Sequence, residues 1–150
     1  KMDKFYEATI CLGKTSTTGD PEGEITDTGA KLPSLEEIQE ITPRFIGKIK
    51  QRPPIFSAIK IDGQRAYKLA RKGKEIEMPE REVEIFSLDI ISYEAPYLKI
   101  RTHVSSGTYI RTLAEDLGKA LGCGAYTCEL RRTRISNYDI AEVPLFSLPE

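Results

Sequence analysis

Hydrophobic positions recur along this chain with two different periods, and the switches between them mark out its elements. Val83, Ile85 and Leu88 alternate with polar residues, and Leu98, Ile100, Thr102 and Val104 alternate again beyond Ala95-Pro96. A period of two places one set of side chains on one face of a pleated strand, so these runs predict an antiparallel pair joined at that proline. Between Thr108 and Leu121 the spacing changes: Ile110, Leu113, Ala114, Leu117 and Leu121 fall at i, i+3, i+4, i+7 intervals. That period predicts an amphipathic helix with one buried face, stopped by Gly122. Phe5 to Leu12 (FYEATICL) is rich in β-formers and predicts a strand leading into a long turn region dense in Thr, Gly, Asp and Pro. Tyr126 to Ile135 predicts another strand.

Local signals add detail. Ser34 follows Pro33 and precedes Glu37 by three residues, a capping box opening a helix with Leu35, Ile38 and Ile41 on one side. Pro43 ends that helix or starts another, and a second short helical stretch is expected through Phe45, Ile46 and Ile49 before Pro53-Pro54 forbids regular helix. The segment SAIKIDGQRAY predicts a strand, an Asp-Gly turn and a return into a helix running to Arg71, with Gly73 as its stop. Pro144 to Glu150 is expected to open a further helix. Pattern alone gives mixed α and β with several strand pairs.

Composition narrows the class. The chain has 150 residues, 39% hydrophobic and 30% charged, enough for one globular domain with its own core. No apolar run approaches the roughly 20 residues that cross a bilayer, so no membrane partner is expected. No basic stretch followed by an apolar one opens the chain, so a cytoplasmic location is expected. Lys1 precedes Met2, and the natural start is expected to lie upstream. Cys11, Cys123 and Cys128 lack metal-ligand spacing and only His103 could join them, so they are read as ordinary thiols and no metal is expected.

Charge changes the picture more. The net charge is −1, yet Arg44 to Lys74 holds ten Lys or Arg against one acid, Asp62. Asp20 to Thr42 has seven acids against Lys31, and Glu75 to Glu94 has seven against Arg81. Segregation of this kind fits a protein that meets polyphosphate on one side, or a solvated basic face balanced in space by the acidic segments.

Candidate chemistry gathers in VSSGTYIRTLAEDLGKALGCGAYTCELRRTR, from Val104 to Arg134. Its opening puts Tyr109 and Arg111 at a strand-to-helix junction, where backbone donors and a helix dipole attract anions. Arg111 has the geometry to fix a carboxylate bidentately, and Tyr109 offers a ring face and a hydroxyl. Spacing alone equally admits Thr108 as a helix cap, Tyr109 as a half-buried aromatic and Arg111 as a surface charge.

The run GTYIRTLAEDLGKALGCGAYTCELRRTR closely resembles the corresponding motif of the bacterial tRNA pseudouridine synthases of the TruB family. Two further segments agree in the same order. DKFYEATICLGKTSTTGDPEGEI is similar to the family's Lys-any-Tyr strand and threonine-rich turn, and QRPPIFSAIKIDGQRAYKLARKG to its RNA-gripping insertion. The related guide-RNA-dependent synthases of archaea and eukaryotes share GTYIRTL-like sequence, but QRPPIFSAIK points to the bacterial type.

The resemblance implies an α+β fold, mainly an antiparallel sheet with packed helices, as an incomplete copy of the pseudouridine synthase catalytic domain over residues 1–150. It implies isomerisation of the T-loop uridine of tRNA: the N1–C1′ bond breaks, the base turns, and it rejoins through C5, with no cofactor. Carried onto this chain, Tyr6 stacks on the flipped uracil and Tyr109 lies at the base edge as a candidate proton acceptor. Arg111 pairs with the nucleophilic Asp, and Leu130 closes the pocket. Lys60, Arg65, Lys68, Arg71 and Lys72 contact phosphates of the T-arm stem-loop.

One departure matters. The family's nucleophilic Asp lies in a Leu-Asp-Pro motif upstream of the strand FYEATICL, and no such motif stands there. Asp20-Pro21 sits instead in the turn after that strand and is set aside as a decoy, and Asp116 lies inside a helix where local pairing is expected. The family's C-terminal RNA-binding domain is expected to be missing too. The whole protein is therefore expected to be a monomeric tRNA pseudouridine synthase, and this chain an inactive portion of it; the alternative is an RNA-binding module without catalysis.

Overall fold

A computed structural model of the chain describes residues 3–53, 60–61, 64–65, 79–135 and 138–144. Its elements run β1 (Lys4–Leu12), β2 (Lys14–Ser16), β3 (Ile25–Asp27), α1 (Leu35–Ile41), a 3-10 turn (Thr42–Phe45) and β4 (Gly47–Gln51). Then come β5 (Lys60–Ile61), β6 (Gln64–Arg65), β7 (Arg81–Glu94), β8 (Tyr97–Val104), α2 (Ile110–Leu121), β9 (Ala125–Ile135) and β10 (Tyr138–Pro144). Among the described residues one sheet dominates, with six strands in the order β10-β9-β1-β8-β7-β4. All its neighbouring strands pair antiparallel. The architecture is the expected α+β, with helices packed against a mainly antiparallel sheet.

The alternation read from sequence is what builds the core. Leu98, Ile100, Thr102 and Val104 of β8 are all buried, while Lys99 and Arg101 between them are exposed. Tyr6, Ala8 and Ile10 of β1 occupy the matching face next door, and α2 covers it with Ile110, Leu113, Ala114 and Leu117.

 Each Leu, Ile or Val side chain of this layer taken out of water contributes about 1.5–3 kcal/mol and each Ala methyl less, so the layer is a large source of stability. Helix and sheet approach closely at Gly118, where any Cβ would meet the backbone of Gly124 and Ala125. The helix ends as read: Gly122 takes the left-handed conformation at φ 79° and its N–H bonds back into the last turn.

Several sequence expectations are met in detail. Ser34 caps α1, accepting from Glu37 N–H while the Glu37 carboxylate accepts from Ser34 N–H. β7 and β8 meet across Ala95-Pro96. The strand expected at Lys60–Ile61 is present as β5, but it pairs with a second strand, β6, at Gln64–Arg65, Lys60 opposite Arg65, and the Asp62-Gly63 turn lies outside the described residues. The helix expected from there to Arg71 lies outside the described residues.

Other expectations need correction. Ile49 is on a strand, not a helix: Gly47 at φ 107° breaks the 3-10 turn, and Gly47, Ile49 and Gln51 then alternate inward against exposed Lys48 and Lys50. Pro144 is the last residue of β10, at the edge of the sheet, where a residue without an N–H is tolerated; the helix expected to follow lies outside the described residues. The turn region after β1 contains the short pair β2 and β3. Thr108 is not the cap of α2; Tyr109 holds that position, with no side-chain cap bond.

Candidate active site

The start of α2 is fixed from outside the helix. Gln51, 2% exposed at the end of β4, donates from Nε2 to the Tyr109 carbonyl at 3.2 Å and accepts from the Tyr109 N–H at 3.0 Å through Oε1. One turn further in, the Thr112 hydroxyl donates to the Arg52 carbonyl at 3.1 Å. A side-chain amide that satisfies both backbone groups of one residue holds that residue as a neighbouring strand would. The chain leading into the basic segment is thereby stapled to the helix turn that carries Tyr109 and Arg111. Sequence reasoning missed Gln51. Its signal was a polar residue at an inward position of an alternating run.

Arg111 reaches from this first turn to the loop after β2. Its Nη1 donates to the Thr18 carbonyl and to Asp20 Oδ2, each at 3.3 Å. The two charged side chains are only 12% and 9% exposed. Asp20 Oδ1 accepts from the Thr18 hydroxyl at 2.7 Å and from the Glu22 N–H at 2.9 Å, and the Asp20 carbonyl accepts from the Ser16 hydroxyl. Both carboxylate oxygens are therefore engaged, and Asp20 serves as an inward-facing anchor for its loop. Gly19 makes the approach possible: at φ 79° it sits where a Cβ would lie 3.3 Å from Arg111 Cβ. Thr127 N–H donates to the Gly19 carbonyl at 3.1 Å, tying the same loop to β9.

Beside this pair lies a cleft of about 400 Å³, bounded by Thr17, Thr18, Lys50, Arg52, Glu80, Glu115 and Lys119 among others. Burial pushes the Glu115 carboxyl above its usual range, Lys119 pulls it back, Asp116 adds to the rise and Arg111 opposes it. Asp116 lines the same cleft; burial raises its pKa as well, and Lys119 lowers it.

The remaining predicted residues lie on the sheet beneath the helix. Tyr6 and Leu130 belong to neighbouring strands and the same buried cluster, at 1% and 0% exposure. Ala8 stands opposite Leu130 and Tyr6 opposite Arg132. The Arg132 guanidinium carbon lies 5.7 Å from the centroid of the Tyr6 ring. Arg132 also escaped the sequence reading, although Leu130 and Arg132 share a strand face by their spacing. Lys60 and Arg65 are placed by their backbone in the β5–β6 hairpin. Lys68, Arg71 and Lys72 lie outside the described residues. Cys11, Cys123 and Cys128 are thiols without disulfides.

This fold is that of a known class of RNA-modifying enzymes. A crystal structure of a Cbf5-Nop10-Gar1 complex matches 93% of the chain and 32% of its own, with a TM-score of 0.65 and 27% identity. A structure of an H/ACA RNP bound to a substrate RNA containing 2′-deoxyuridine shares the fold at a TM-score of 0.61, 23% identity, over 93% of this chain and 30% of that one. Residues 1–110 match the TruB family pseudouridylate synthase (N terminal domain), and residues 111–150 match the tRNA pseudouridylate synthase B C-terminal domain. The chain belongs to the TruB family. It is 46% identical over 140 residues to tRNA pseudouridine synthase B of Pseudomonas fluorescens, covering 93% of this chain and 46% of that protein. The enzyme of the same name from Dechloromonas aromatica is 48% identical over 130 residues, 87% of this chain and 44% of its own. The chain thus spans about half the length of these relatives. The two family matches meet between Ile110 and Arg111, inside α2, and the large sheet takes strands from both sides of that junction.

Proposed function

We propose that the protein carrying this chain is a tRNA pseudouridine synthase acting on the T-loop uridine of the T-arm stem-loop. The reading is supported by one observation: Tyr109 and Arg111 share the clamped start of α2, the helix whose buried face belongs to the same core cluster as Tyr6 and Leu130. In this reading the flipped uracil takes the Tyr6 ring, Leu130 bounds the pocket, and Tyr109 stands at the base edge to receive the C5 proton. Arg111 keeps an attacking carboxylate ionised and oriented, as an adjacent cation does. In this reading that carboxylate is not Asp20, which is committed to its own loop, and it is supplied from outside these 150 residues. The isolated chain then binds RNA through its basic segment and performs no isomerisation.

The test is binding of this chain to a T-arm stem-loop across a salt series, against a hairpin of equal length with a different loop. Preference for the T-arm with affinity that falls as salt rises is expected. Equal affinity for the two hairpins at every salt concentration would contradict the substrate assignment.

A further inference from the structure

We infer that Arg132 is a phosphate contact for the flipped nucleotide, held in reserve on the face of Tyr6 until RNA arrives. The inference rests on the functional reading above and adds a residue and a ligand atom to it. Three observations lead there. Arg132 stands directly opposite Tyr6 in the β1–β9 register, and its guanidinium lies over the tyrosine ring. Tyr6 is 1% exposed, so the ring face that a base must take is covered in the free protein. The Arg132 Nε–H is buried and makes no hydrogen bond among the described residues.

A buried guanidinium N–H without an acceptor is costly, and nothing about packing on Tyr6 relieves it. What relieves it is an oxyanion placed on the edge formed by Nε and one Nη, the edge through which arginine grips phosphate with two parallel bonds. The local backbone is built to aim such a side chain. The register between β1 and β9 shifts at Phe5/Tyr6, so Phe5 faces Arg134, Tyr6 faces Arg132, and Thr133 is bulged between them. A bulge re-aims the residues beside it and is common next to sites. Arg131, on the other side of the strand, is occupied with Glu129 at 3.1 Å.

The chemistry of a flipped nucleotide supplies both halves of an exchange. Its base offers a flat face to replace the guanidinium on Tyr6, and its phosphodiester offers the oxygens that the displaced guanidinium lacks. Arg132 then couples opening of the stacking face to capture of the backbone, since the cation leaves the ring only as it gains the phosphate. The exchange breaks no covalent bond.

The experiment measures binding of the full chain to T-arm stem-loops in which the phosphate on either side of the target uridine is replaced, one at a time, by an uncharged methylphosphonate on a 2′-O-methyl nucleotide. For the parent chain, one of these replacements is expected to weaken binding about tenfold, the scale of one charge-assisted contact. Arg132→Gln should bind the unmodified RNA about that much more weakly and show less than about a twofold response to the same replacement. Arg132→Lys, which keeps the charge but not the two-pronged edge, should fall between them. It settles the matter if the Gln variant does not fold. A parent chain indifferent to both replacements, or an Arg132→Gln or Arg132→Lys chain as sensitive as the parent, would overturn the inference while leaving the substrate assignment standing. A parent chain with no preference for the T-arm would instead remove both.

Discussion

Arg111 Nη1 and Asp20 Oδ2 lie 3.3 Å apart across 91 residues of sequence, and this pair joins the start of α2 to the loop that follows β2. Both side chains are almost enclosed, so the pair behaves as a buried one. Removing one partner of a buried pair leaves an uncompensated charge and costs about 3–5 kcal/mol. Asp20→Ala is expected to lose at least the lower end of that range in urea unfolding, since it also frees Thr18 and the Glu22 N–H. Asp20→Asn, which retains an acceptor for those two donors, should lose less. Combining Asp20→Ala with Arg111→Ala should cost little more than either change alone; additive costs would show that the pair is not an energetic unit.

Arg111→Ala separates stability from binding. If the nucleophile that Arg111 serves is outside this chain, the variant, once shown to be folded, should bind the T-arm nearly as well as the parent. A loss above about 2 kcal/mol, the scale of a charge-assisted hydrogen bond, would mean that Arg111 touches RNA directly.

Gln51 should matter more to the helix start than its distance in sequence implies. Gln51→Leu fills a similar volume but removes both bonds to Tyr109, at an expected cost of about 2 kcal/mol. Amide exchange at Tyr109 and in the first turn of α2 should speed up while the strands stay protected. Unchanged exchange there would show that the clamp is dispensable.

Much of this was legible in advance because it depends on local rules. The capping box at Ser34, the Gly122 stop and the β7–β8 alternation each need only a few neighbouring residues, and each was read correctly. Ile49 was misread because one apolar residue after Phe45 and Ile46 fits either period, and only pairing with Val83 across β4 and β7 decides it. Gln51 and Arg132 were invisible for a different reason. Their partners, Tyr109 and Tyr6, are far away in sequence, and an isolated Gln or Arg has no pattern of its own. The family motif placed Tyr6, Tyr109, Arg111 and Leu130 in named roles, yet it left Asp20 as a turn residue without its tie to Arg111.

Acidic solution offers a further check. Because burial raises the Glu115 carboxyl, the folded state holds that proton more tightly than the unfolded chain. The associated stability is fully present below the ordinary value of 4.5 and is lost as pH rises through the higher folded value. Glu115→Gln removes that loss. The variant should melt above the parent at pH 7, and the difference should close as pH falls through 4.5; a parent that melts higher at pH 7 would contradict the assignment.

The thiols should be inert in the folded chain. Burial first, then the neighbouring Cys11, pushes the Cys128 thiol up to about 11, and Cys11 and Cys123 are each 2% exposed. At pH 8 only about a thousandth of such a group as Cys128 is thiolate, the reactive form. An aromatic disulfide reagent should therefore label the three cysteines slowly until denaturant is added, and then all three at once. Rapid labelling of Cys128, which is half-buried, under native conditions would count against the raised thiol.

The most direct measurement is made on a graft in which this chain replaces the matching segment of the Pseudomonas fluorescens relative, at 46% identity over 140 residues. The graft is given a T-arm stem-loop whose target uridine carries tritium at C5. Release of tritium by the graft, with none from the 150-residue chain alone, is the predicted result. A folded graft that binds the stem-loop and releases nothing, or release by the chain alone, would contradict the account of where the attacking carboxylate lies and what this segment contributes to it.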